Sequence, residues 1–577
     1  MSFPAPAPPA DPGPPLRLER GVERPEARPA RPRVARRIAE IVAGALVGGM
    51  VVAAWPRPDP APARFSRVTF RRGAVDSARF TPDGQVVYSA SFDGTPRAVY
   101  AVRVDTREWR LAPLPAARLV AVSRTGDVAF VRGDSLERAP LAGGAATEVL
   151  ENVATADATS DGTAFAVARR VGGGRARIEY PVGTVLGEAV SPSHLRLSPS
   201  GQQIAFLEHP LPGDDRGLVV VLDRSGKRRV LTDEWASIEG LAWAPRGDAL
   251  YFTAARVGAD CALHTVGLDG RVHTVAPALG RLVIHDIAPD GRVLLERNTL
   301  RAEVRFQRAG EPRERDLSWF DLSQVVALTP DGQWLLFGET GEGGGADYGV
   351  YLRRTDGSPP VRLGTGRAMD LSPDGRYALA IPLANPERID LLPTAAGNEP
   401  RPLRYQGLTR YEWAGFLPDG QTLLFTARAG EGPPRVYAGR VEGGTARPIT
   451  PEGVGVWRNG ISPDGTQLVV LEAGSYRIYP VDGGAAHTIP GLDSGVFPAA
   501  WSGPHSLLLR EFRRASNDVL RLDLRTAQRT PWRVIEPYDH TGLTHVGRLA
   551  VTPDESAWAY TLHRRLSELF VAEGLLR

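Results

Sequence analysis

From residue 65 onward the chain alternates apolar and polar positions with a period of two, in short runs interrupted by one recurring turn. The phrase is clearest at ARFTPDGQVVYSA (78–90), VALTPDGQWLLFGE (326–339), DLSPDGRYALAI (370–381), GFLPDGQTLLFTA (415–427) and GISPDGTQLVVLE (460–472). Period-two alternation marks half-buried strands. In the turn Pro fixes φ, Asp bonds its own backbone and Gly takes the positive φ that closes the loop. Each phrase therefore predicts a β-hairpin. Degenerate copies stand at LRLSPSGQQIAFLE, LAWAPRGDALYFTA, DIAPDGRVLLE and LAVTPDESAWAYT, with weaker ones at AVSRTGDVAFV, ATSDGTAFAVA and AAWSGPHSLLL, which makes twelve. Two more alternating strands follow each hairpin, as in AVYAVRVDTREWRLAP (98–113) and YGVYLRRTDGSPPVRLG (348–364).

The clear turns recur every 41 to 46 residues, the period of a four-stranded propeller blade. The predicted fold class is all-β: tandem β-propellers built from about twelve four-stranded blades, preceded by one transmembrane helix. Twelve blades exceed one ring, so the expectation is a first propeller over 65–310 and a second over 311–577, split six plus six or seven plus five. The charged stretch RFQRAGEPRERDLSWF (305–320) is the expected seam. The last repeat ends after three strands and FSRVTF (65–70) has no hairpin partner, so the N-terminal strand should close one of the two rings.

Two residues before the turn Pro stand Phe80, Val122, Ala158, Leu197, Trp243, Ile287, Leu328, Leu371, Phe416, Ile461, Trp501 and Val551, all apolar and expected between blades. The preceding position is small or charged and should face the central channel. Its charged members Arg79, Asp157, Arg196, Asp286 and Asp370, with the adjacent His285, are the candidate ligand contacts.

Upstream the pattern changes. Residues 1–36 are rich in Pro and Arg, with too little apolar content to order a core, and predict a disordered cytoplasmic tail. Residues 37–56 contain the uncharged run Ile41–Trp55, short but sufficient for a membrane helix. Arg31, Arg33, Arg36 and Arg37 precede it and only Arg57 and Arg64 follow closely, so the positive-inside rule leaves the tail in the cytoplasm and exports the body. The expected location is the bacterial cytoplasmic membrane, single pass, with periplasmic propellers. Val52-Ala53-Ala54 keeps a cleaved signal open against a signal anchor.

Composition removes several functions. The chain has 577 residues and a formal net charge of +3. Residues 1–37 alone hold eight Arg against four acids, which leaves the body near neutral, without the basic stripe that nucleic acid needs. Cys261 is the only cysteine, so neither an intrachain disulfide nor a cysteine metal site exists. GEGGGADYG (341–349) lacks phosphate-loop spacing and joins two strands, GxSxG does not occur, and His540 and His545 beside Asp539 lack a third assured ligand. No catalytic residue, metal or cofactor is expected. HPLPGDDRGL (209–218) is read as an exposed loop that either docks a partner or is merely solvated.

The repeat phrase resembles the TolB-like, WD40-like repeats of bacterial extracytoplasmic propellers. VTFRRGAVDSARFTPDG, ERDLSWFD, GEGGGADYGVYLRRTDGSPPVRLG and AYTLHRRLSELFVAEGL are similar to the extracytoplasmic half of eukaryotic-like serine/threonine kinases of acidobacteria and related soil bacteria. That resemblance implies a module that senses or binds something outside the cell. No kinase domain is expected within these residues, since the sequence has no Gly-rich loop followed by VAIK, no HRD and no DFG. The expectation is a membrane-anchored sensor or binding module for a protein, peptide or glycan, with a separate cytoplasmic signalling protein as a further partner. The alternative is a propeller enzyme of lyase, lactonase or hydrolase type.

Overall fold

The structure, a computed structural model, describes residues 62–576 except 173, 212, 279, 473, 491, 493–495, 512–516 and 536. The expected tail and membrane segment lie outside the described residues. Among the described residues the fold is all strand, and no helix is long and apolar enough to cross a membrane.

Sheets of four antiparallel strands follow one another along the chain, at 73–111, 118–150, 153–190, 193–230 and 237–276, and again at 323–365, 367–403, 408–448, 455–488 and 496–535. In each, the predicted hairpin supplies the first two strands. Apolar clusters lie between successive sheets: Val87, Ala101 and Leu119 between the first and second, for example, and Ala205, Leu207 and Leu241 between the fourth and fifth. All twelve apolar residues two before the turn belong to such clusters or pack against them. Burying both faces of every blade against its neighbours is what makes a ring of sheets stable.

The two remaining sheets close the rings, and they do so jointly. Val293–Arg308 and Ala557–Glu573 are single long strands, paired antiparallel from Val293↔Ala572 to Arg308↔Ala557. Arg281–Ile287 pairs with the first half of one, and Arg64–Arg67 pairs with the last residues of the other. These four segments form the sixth sheet of the first ring, and Val68, Val75, Leu294 and Leu569 seal it to the first sheet. Symmetrically, Leu543–Val551 and Arg315–Asp316 flank the other halves. Val304, Val325, Phe337 and Ala559 then seal the twelfth sheet to the seventh. Among the described residues the arrangement is six plus six.

Strand pairing settles two points that the sequence left open and revises two expectations. The N-terminal strand closes the first ring. The last repeat contributes two strands of its own, Leu543–Val551 and Ala557–Glu573, rather than three, and the sixth repeat likewise lacks four of its own. The chain does not divide cleanly between 310 and 311, because residues 565–572 pair with 293–300 in the first ring's sheet. The physical reason is visible in VLLERNTLRAEVRFQR and AWAYTLHRRLSELFVAE. Neither contains Gly or Pro, so nothing breaks the strand where a blade would ordinarily turn.

Candidate functional site

The innermost strands carry β-bulges near their midpoints, between Val75 and Ser77 in the first sheet and between Ile284 and Asp286 in the sixth. The bulge re-aims the residues after it. Around the mouth of the first ring's channel it brings together Arg79, Asp157, Arg196 and Asp286, which line a cavity of about 250 Å³. There the carboxylates bind backbone. Asp157 accepts N–H bonds from Ala158 (3.0 Å) and from Leu197 of the next blade (2.9 Å). Asp286 accepts from Ile287 (3.0 Å) and, across the ring closure, from Phe80 (2.9 Å). Asp370 in the second ring repeats the pattern with Leu371 and Phe416, both at 2.9 Å. Each Asp thus stitches one blade to the next. Removal from water raises the Asp157 carboxyl above its usual range and pushes Asp370 up to about 6, against the lowering effect of those N–H donors.

The two arginines share one acceptor. Arg79 and Arg196 both donate to the His285 carbonyl, at 3.2 and 2.9 Å. Burial, with Arg79 beside it, pushes the Arg196 guanidinium down to about 9. The His285 side chain is not in this mouth. It is the extra residue of the bulge, and its Nε2–H donates to the fully buried Glu296 at 2.8 Å. Asp370 lies in the other ring. Four of the six candidates therefore share a site and two do not.

A larger cavity, about 630 Å³, lies between the two rings and was not legible in the repeat. Its walls come from both. On the first ring's side, Arg281 donates to Glu239 (3.0 Å) and Asp215 (3.0 Å), and Arg565 bridges Glu239 (2.7 Å) and Glu296 (3.1 Å). Burial alone would raise the Glu239 carboxyl, but Arg565 and Arg281 override it and hold it well below the carboxylate range. Beside this network the Ser193 hydroxyl lies 2.8 Å from His209 Nε2, while His209 Nδ1–H donates to the Arg216 carbonyl at 3.0 Å. His194, at φ 50°, places Nδ1 3.0 Å from the same hydroxyl, and burial keeps its imidazole neutral. On the far side His545 stacks on His563, ring centroids 4.2 Å apart, and burial pushes His563 down to about 3. Trp413, Met369 and Ile238 supply apolar wall.

The Gly-rich strand connection 341–349 and the loop 209–218 meet at the edge of this cavity. The Tyr348 hydroxyl donates to Asp214 (2.8 Å), Arg216 donates to the Ala346 carbonyl (2.9 Å), and Glu342 accepts the backbone N–H of Ala259 (3.1 Å). GEGGGADYG is thus a latch between the rings rather than a phosphate cradle. His545 is drawn into the cavity, whereas Asp539 pairs with Arg564. Among the described residues no group of three His, Cys, Asp or Glu is placed to hold a metal ion.

Ring closure by paired sheets defines the chain as a double β-propeller. Comparison with known proteins adds likenesses of low score. No protein-family profile matches, and no curated protein matches. Among solved structures, a putative TolB from Agrobacterium tumefaciens aligns at 19% identity over 46% of this chain and 98% of its own, with a TM-score of 0.36. The tricorn protease aligns at 13% identity over 88% of this chain and 59% of its own, at 0.30. TolB from Acinetobacter baumannii aligns at 11% identity over 71% and 79%, at 0.20. The propeller assignment rests on the strand pairing and not on these superpositions.

Proposed function

We propose that this chain is an extracytoplasmic sensor or binding module, held to the membrane through residues 37–56, that captures a small polar ligand, peptide or glycan end between its two rings. The observation behind this reading is the cavity of about 630 Å³ whose walls come from both rings. A ligand there touches both, so its binding energy acts directly on the latch at Asp214, Tyr348 and Glu342. That is how occupancy becomes a signal. The resemblance to kinase sensor halves agrees with this role, and the signal would pass to a separate cytoplasmic protein. The test is a thermal-shift screen of the full chain against peptides and glycans, repeated on Ala368→Trp, which fills the cavity. Hits should lose their shift in the variant; hits that keep it would place binding elsewhere and sink the reading.

A second reading, a propeller enzyme of lyase, lactonase or hydrolase type, has the Ser193–His209 contact in its favour. A hydroxyl bonded to an imidazole is the start of a nucleophile. Any turnover found with a screen hit should vanish in Ser193→Ala; turnover that survives would remove this reading.

A further inference from the structure

We propose that the outer rim of the first ring, where its first blade meets the N-terminal strand, is a surface that seats on anionic lipid. Phe65, Phe70, Trp109 and Leu111 are each more than half exposed. They lie on neighbouring edges: Arg64–Arg67 is the outermost strand of the sixth sheet and Trp109–Leu111 that of the first. Phe70 joins them, with the Arg67 guanidinium 5.3 Å and the Arg107 guanidinium 6.0 Å from its ring. Trp109 continues the patch, its ring 6.2 Å from Tyr100. Elsewhere the outer strands expose single valines, such as Val185, Val230 and Val361. Phe65 shares the face of Ala572, toward the fifth sheet, so the patch itself is Phe70, Trp109 and Leu111, a different kind of surface from a lone valine.

The chemistry around the patch points to the occupant. Segments 64–72 and 103–111 carry seven Arg against Asp105 and Glu108. Asp93 pairs with Arg71, Glu568 pairs with Arg67, and Asp539 lies near Arg72. Glu573 stands opposite Arg64 across the strand pair, so the seven Arg face six acids and a positive surplus of one remains. Aromatic rings ringed by guanidinium groups suit the bilayer interface, where rings sit at headgroup depth and Arg reaches phosphate. The sequence adds a constraint that a protein partner would not explain. Trp55, the end of the proposed anchor, stands nine residues before Arg64, and nine residues reach about 30 Å at full extension. The inference rests on the anchor reading for this last point alone.

The experiment reconstitutes the full chain into vesicles of phosphatidylcholine, with and without phosphatidylglycerol, carrying brominated acyl chains that quench tryptophan. Wild type and Trp109→Phe are compared, and Phe70→Ser serves as a second variant. The expected result is a quenched component that Trp109→Phe lacks and Phe70→Ser weakens, severalfold larger with phosphatidylglycerol and reduced by salt. Equal quenching in wild type and Trp109→Phe would overturn the proposal. Alkaline carbonate extraction of the same vesicles reports separately on the anchor. Release of the protein would refute the anchor, and the Trp109 component would still decide the lipid surface.

Discussion

Glu296 gathers four polar side chains around one buried carboxylate. It accepts from His285, Asn298, Arg565 and Ser567, and no part of it reaches water. Removing it leaves the Arg565 charge with Glu239 alone, so Glu296→Ala should cost about 3–5 kcal/mol, read as a lower denaturant midpoint. Two other buried groups give stability a pH dependence of opposite signs. Glu339, bonded to the Ser323 hydroxyl, is pushed up to about 7 by burial. The folded state then holds a proton that the unfolded state has released, so stability falls as pH rises from about 4.5 to 7. His563, pushed down to about 3, works the other way: the unfolded state takes up the proton first, and stability falls as pH drops below about 6.5. Denaturant titrations across pH should show the first slope weakened in Glu339→Gln and the second weakened in His563→Gln.

At the scale of the strand and the hairpin, turn chemistry is local, and the Pro-Asp-Gly phrases therefore announced most blades directly. The bulge is not announced by composition, because it depends on what the neighbouring blade presents. Gly240 shows why. It is the extra residue of the fifth innermost strand, at φ 80°, bridged to Ile284 of the next blade. A Cβ there would lie 2.5 Å from the Ile284 carbonyl oxygen. Gly240→Ala should therefore destabilise by at least about 1–3 kcal/mol, through positive φ and contact together, and lower the melting temperature; an unchanged melting temperature would contradict the packing described. The corresponding bulge of the sixth innermost strand turns His285 out of the channel, which the simple alternation did not foresee. The inter-ring cavity was illegible for a different reason. Most of its lining residues, such as Ser193, His209 and Arg565, stand outside the repeat phrase and converge only once the rings are closed.

For the whole molecule, the decisive feature is the pair of long strands shared by both rings. The blade count was readable from the period, but the six-plus-six division depended on a pairing between residues about 250 to 280 positions apart, of which the only local sign was two runs without a turn residue. Neither ring holds a complete closing sheet of its own. Fragments 62–310 and 311–577, expressed separately, should fail to give monodisperse folded protein by gel filtration and circular dichroism, whereas mixing or co-expression should restore a complex. Two independently folded halves would contradict the shared closure. One bond makes the consequence for synthesis plain: the Leu569 amide donates to the Thr69 hydroxyl across 500 residues. The first blades leave the ribosome some 500 residues before the segment that seals them. The N-terminal ring must wait open-edged over that whole stretch, so its folding is deferred until the strand Ala557–Glu573 has been made.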